Sequence, residues 1–112
     1  MFDRKLVFRE LYFENAEEAI RFGAEKLYQA GYVTEMYADS VVEREREFPT
    51  GLPTEPFGVA IPHTDSTFVK QSGICCMKLK EPLDFQQMGN GEETVSAHFV
   101  LLLAISGGAE HM

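Results

Sequence analysis

The run Gly58-Val59-Ala60-Ile61-Pro62-His63-Thr64-Asp65-Ser66 places an imidazole directly behind a proline that closes a stretch of small and β-branched residues. Gly58 to Ile61 reads as a short strand, and Pro62, which has no N–H to donate, ends its ladder. His63 is thereby set just past a strand end, where a rigid scaffold presents the ring to solvent. Histidine has the one unperturbed pKa close to physiological pH, so its ring exchanges protons or attacks as a neutral nucleophile. Cys75 and Cys76 are the other reactive side chains. They are adjacent in an apolar run, so alternation sends them to opposite faces of a strand, which suits reduced thiols in a reducing compartment. No CxxC or HxxxH spacing accompanies them, and no metal is expected.

The elements that must position His63 follow from periodicity. Leu6 to Glu14 alternates apolar and polar residues as an opening strand. Asn15 is an N-cap, Glu17 and Glu18 fall in the first helical turn, and Ala16, Ala19, Ile20, Ala24 and Leu27 recur at helical spacing up to Gly31 as C-cap. A second helix is expected from Thr34, with Met36, Ala38, Val41 and Val42 on its apolar side, running on into the charged Glu43–Glu47. Phe48 to Phe57 holds three prolines and a glycine and reads as a structured loop. A strand from Gly73 to Lys80, a turn at Glu81 to Asp84 and a polar connection from Gln86 to Glu93 lead to Val95–Ile105, whose near-continuous apolar character predicts a strand buried on both faces. The sum is an α/β fold, a mixed β-sheet of about five strands flanked by helices.

Composition bounds the function. The chain has 112 residues, room for one modest domain, with 45% hydrophobic and 25% charged residues as in ordinary globular proteins. The longest apolar run, Phe99 to Ile105, is far short of a membrane span, and no signal-peptide pattern is seen. A formal net charge of −8 argues against nucleic acid and anionic membrane surfaces and favours a basic protein partner. The C-terminus is anomalous: after Gly107-Gly108, Ala109-Glu110-His111 reads as the start of a helix that stops at Met112. One sheet face would then lack cover, so a C-terminally truncated single domain spanning residues 1–112, or cover by a partner chain, is expected.

Arg44-Glu45, Pro49-Thr50-Gly51-Leu52 and Val59-Ala60-Ile61-Pro62-His63, in that order, resemble the IIA components of the sugar phosphotransferase system, fructose–mannitol class (type 2). The stretch Glu47-Phe48-Pro49-Thr50-Gly51-Leu52 is most similar to galactitol-type members. The resemblance implies a cytoplasmic phosphoryl carrier with a type-2 IIA sandwich fold lacking its C-terminal helical segment and with no metal or nucleotide cofactor. His63 matches the histidine that accepts a phosphoryl group from the phosphocarrier HPr and passes it to a cysteine of a IIB component, which works with a membrane IIC. Arg44 matches the family's arginine, whose planar fork suits phosphoryl oxygens. Arg46 is its rival, since on a helix the two point to different sides; spacing to Thr50 favours Arg44. Thr50 and Thr64 carry hydroxyls able to orient a ring nitrogen or phosphoryl oxygen. His111 is the match for a second histidine found in many members, and His98, within the long strand, is expected to be a packed strand residue. Phe48, Leu52, Phe57 and Phe68 are candidates for an apolar binding face with an acidic rim. Related domains also serve as regulatory phospho-sensors, a second reading that the sequence leaves open.

Overall fold

The computed structural model describes residues 4–107. Residues Arg4–Leu6 form a single 3-10 turn, so the opening strand, β1, is shorter than the alternation suggests and spans Val7–Leu11. Asn15 caps the first helix, α1 (Ala16–Gln29): its side-chain oxygen accepts from the Glu18 N–H at 2.9 Å, and the Glu18 carboxylate accepts from the Glu14 N–H at 2.8 Å. At the other end Gly31 adopts φ +86°, which lets the Tyr32 N–H reach the Leu27 carbonyl and the Gly31 N–H reach that of Tyr28, closing a Schellman motif. The second helix, α2, spans Tyr37–Glu47 and begins three residues later than expected. Thr34 instead adjoins the Val33–Val69 bridge, its N–H donating to the Phe68 carbonyl.

A long antiparallel hairpin is the spine of the sheet. Its arms are β4 (Gly73–Gln87) and β5 (Asn90–Ala104), with Cys75 opposite Leu102 and Phe85 opposite Val95. β1 lies parallel to β4 on one side, and β3 (Gly58–Ala60) lies parallel to β5 on the other. Between Phe48 and Phe57 the expected loop contains a two-residue strand, β2 (Gly51–Leu52), which pairs antiparallel with β3 and meets the hairpin tip at Gln87. The sheet thus has five strands of mixed direction, as the sequence suggested.

Two expected breaks are absent. The turn at Glu81–Asp84 is a wide bulge inside β4, between Lys78 and Leu83, and Pro82 falls where its missing N–H costs no ladder bond. The polar Gln86–Glu93 connection is the hairpin tip itself, turning only at Met88 and Gly89.

Both helices pack on one face of the sheet. Ala19, Ile20, Ala24 and Leu27 of α1 and Tyr37, Val41 and Val42 of α2 join Cys75, Met77, Leu79, Phe85, Val100 and Leu102 in one core cluster. On the reverse face Ile74, Cys76, Leu101 and Leu103 are half-buried, so among the described residues β5 is fully covered only on the face that receives the helices. The expected helix start at Ala109–His111 lies outside the described residues.

Gly58 governs how closely β3 approaches β5. A Cβ built there would fall on the Ser96 carbonyl oxygen and come within 2.7 Å of Val95 Cγ1. Because the obstruction is backbone, it cannot be relieved by a rotamer change. Gly58→Ala is therefore expected to cost about 1–3 kcal/mol, read as a lower Tm and denaturation midpoint at unchanged m-value.

Candidate functional site

His63 follows β3 by three residues, and the segment between them is fixed by the backbone. The Ile61 N–H donates to the Thr50 carbonyl at 3.3 Å, and the Pro62 carbonyl accepts from the Leu103 N–H at 3.0 Å. Pro62 ends donation but not acceptance, so the chain stays registered on β5 up to the histidine. His63 Nδ1 lies 2.9 Å from the Ile61 carbonyl oxygen. A carbonyl only accepts, so Nδ1 carries the proton of the neutral ring. The lone pair of the ring is left on Nε2.

α2 borders this segment along one stripe. Ser40 Oγ and Thr64 Oγ1 are 2.6 Å apart, which fixes the helix against the residue after the histidine. Arg44 is one turn further on the same stripe, and its charge acts on Asp65. The Asp65 carboxylate, an exposed group, is held below its ordinary range chiefly by the side-chain and backbone hydrogen bonds of Thr67, with Arg44 adding to them. Arg44 rests its guanidinium over the exposed Phe48 ring, 5.1 Å from the centroid, and makes no ion pair among the described residues. Arg46 points away: it pairs with Glu17 of α1 at 3.3 Å and with Glu43 at 3.6 Å. Helical geometry thus separates the two arginines as their spacing implies.

The two threonines face inward. Thr50 is 4% exposed and Thr64 5%, and the Thr64 hydroxyl is engaged by Ser40. Thr50 donates from both its N–H, at 2.9 Å, and its hydroxyl, at 2.8 Å, to the two oxygens of Glu45. Burial, the largest influence, pushes the Glu45 carboxyl up, and the Thr50 hydrogen bonds and His63 oppose it. In the sequence Glu45 stands only as the neighbour of Arg44 in the family motif, with no role of its own, because it sits in a charge run that looks wholly solvated. Its spacing to Thr50 was the available signal. Tyr37 was likewise missed as an anchor: fully buried, it donates its hydroxyl to the Leu103 carbonyl at 2.5 Å, the residue whose N–H holds Pro62.

Of the apolar candidates, Phe48 under Arg44 is 59% exposed, Phe57 is 48% exposed at the opposite end of β3 from His63, Leu52 is half-buried, and Phe68 packs against the core. His98 is the extra residue where β5 slips register against β3, and its ring lies tilted against Phe57, the centroids 4.9 Å apart. His111 lies outside the described residues. Among the described residues no group of three or more His, Cys, Asp or Glu is arranged to hold a metal ion, and no helix is long and apolar enough to cross a membrane.

Comparison with known proteins decides the family. The family model described as phosphoenolpyruvate-dependent sugar phosphotransferase system, EIIA 2, matches residues 1–112. The chain belongs to this EIIA family. It is 36% identical over 104 residues to the mannitol-specific phosphotransferase enzyme IIA component of Enterococcus faecalis, and 27% identical over 100 residues to the galactitol-specific EIIA component of Escherichia coli K12. Each match covers 89% of this chain and 66% of the relative. The transcriptional regulator ManR of Bacillus subtilis is 38% identical over 96 residues, covering 86% of this chain but 14% of ManR. The chain therefore spans about two thirds of the length of these EIIA components and a small part of ManR. Among solved structures, the complex of enzyme IIAMTL with phosphorylated enzyme IIBMTL from Escherichia coli superposes with a TM-score of 0.79 at 25% identity, over 99% of this chain and 76% of the other. The EIIA fold is thus shared across nearly all of this chain.

Proposed function

We propose that this EIIA chain is a cytoplasmic phosphoryl carrier in which His63 Nε2 is the acceptor atom. The observation that carries the reading is the Nδ1 contact with the Ile61 carbonyl, which keeps the proton on Nδ1 and leaves Nε2 as the nucleophile. In the first step the N–P bond of phospho-HPr breaks as the Nε2–P bond forms. In the second, that bond breaks as a thiolate of a IIB component takes the phosphoryl group. Phosphoryl transfer is dominated by positioning and charge stabilisation, and Arg44, near enough to the histidine segment for its charge to act on Asp65 and in no ion pair among the described residues, supplies the charge. Thr50 and Thr64 support the site from below rather than touching the group in flight. The exposed Phe48, beneath Arg44, forms the apolar part of the docking face, within an acidic chain that suits a basic donor.

The substrate class is a sugar alcohol, contacted by the membrane IIC component rather than by this chain. The sequence pointed to galactitol, but identity to the mannitol-specific component is higher than to the galactitol-specific one, so galactitol is not singled out. The 38% identity to part of ManR favours a second reading, a regulatory domain whose His63 phosphorylation is a signal. Incubation with phosphoenolpyruvate, enzyme I and HPr, followed by IIB and IIC membranes, separates the readings. The carrier reading expects phosphate on His63 that then moves to the IIB cysteine and to a hexitol. Phosphate that stays on His63 in the presence of mannitol and galactitol IIB components supports the regulatory reading instead.

A further inference from the structure

The last turn of α2 has no glycine stop. Phe48 closes it with φ −129° and ψ 80° and a single bond to the Arg44 carbonyl, a helix end that would ordinarily fray. Glu45 lies in this turn, next to Arg44, and both its carboxylate oxygens are engaged by Thr50 at the entry to β2. From Thr50 the connection continues without interruption. The Thr50 carbonyl accepts from the Ile61 N–H, and the Ile61 carbonyl accepts from His63 Nδ1. One carboxylate therefore ties the arginine turn to the backbone atom that sets the imidazole tautomer.

We propose that Glu45 is a positioning residue, latching α2 to β2 through Thr50 so that Arg44 and the Nδ1-protonated ring of His63 are held in register. The proposal rests on the carrier reading of His63 for its kinetic consequence, and on hydrogen-bond geometry alone for its effect on the ring. The carboxylate meets both donors of Thr50, its N–H and its hydroxyl, with one oxygen each. Glutamine could keep both contacts by donating its NH2 to the Thr50 hydroxyl, which also accepts, so Glu45→Ala is the change that removes the latch.

The test compares Glu45→Ala, Thr50→Val, Thr50→Ser and the double variant Glu45→Ala/Thr50→Val, each measured for acceptance from phospho-HPr and by 15N NMR of the His63 ring. Glu45→Ala is expected to slow acceptance by about ten- to a hundredfold through kcat, with KM for phospho-HPr little changed. Thr50→Val loses part of that rate, Thr50→Ser restores it, and the double variant is no slower than Glu45→Ala. The wild-type ring reads as the Nδ1–H tautomer and the Glu45→Ala ring as a mixture. Wild-type rate and a pure Nδ1–H tautomer in Glu45→Ala would overturn the proposal, as would losses in Glu45→Ala and Thr50→Val that simply multiply in the double variant. Should Glu45→Ala fail to fold, Thr50→Val with its Thr50→Ser rescue carries the same test. If wild-type protein takes no phosphate from HPr, the carrier reading falls, while the tautomer comparison, which needs no donor, still decides the role of Glu45.

Discussion

His63→Ala accepts no phosphoryl group from phospho-HPr under conditions that label the wild-type protein to completion. The variant lacks the one imidazole among the described residues that follows a strand end in the segment where the Arg44 charge is felt. His98 does not substitute for it, because that ring is packed on Phe57 in the β5 bulge. The fold survives the change, since His63 is half-buried and its ring makes one hydrogen bond, to a backbone carbonyl. Circular dichroism and the unfolding midpoint should therefore stay close to wild type, and rapid-quench labelling reads the loss. Residual labelling at a few per cent of the wild-type rate would mean that a second acceptor exists.

Arg44→Ala is expected to slow acceptance by about 10²–10³-fold, the usual cost of removing one preorganised donor from a developing anion. Arg46→Ala should change the rate by no more than about twofold, because its surface ion pairs with Glu17 and Glu43 contribute little even to stability. The contrast matters more than either value. Two arginines two residues apart share composition, charge and helix, and differ only in the direction they face. Arg44→Lys should recover only part of the rate, since a point charge lacks the planar fork that matches phosphoryl oxygens. Equal losses in Arg44→Ala and Arg46→Ala would show that net charge near the site, not the placement of one guanidinium, is what counts.

What the sequence made legible is tied to local chemistry. The N-cap at Asn15, the αL glycine at Gly31 and the strand stop at Pro62 each act within a few residues, so their signals sit together in the chain. The misreadings come from long-range pairing. Pro82 and its polar neighbours look like a turn until β5 is laid alongside, when they become a bulge in a continuous strand. Gly51 and Leu52 look like loop because only contact with β3 and with the tip of β4 makes them strand. The apolar run Phe99–Ile105 suggests burial on both faces, yet composition does not say which face receives the helices. At the site, His63 and Arg44 were visible as chemistry in search of a position. Thr50 and Thr64 were visible as hydroxyls, but their engagement with Glu45 and Ser40 depends on how α2 packs against the β2–β3 turn and the His63 segment. Glu45 was hidden by its neighbours: in a run of alternating charges, only its spacing to Thr50 hints that it alone turns inward.

The atom that carries the phosphate decides whether His63 acts through Nε2. Protein labelled with 15N-histidine and phosphorylated through phosphoenolpyruvate, enzyme I and HPr, then observed by 31P and 15N NMR, reports it directly. The expected result is a single phosphoryl group on Nε2 of His63, with the proton retained on Nδ1. Phosphate on Nδ1, on His98, or on no histidine at all would contradict it.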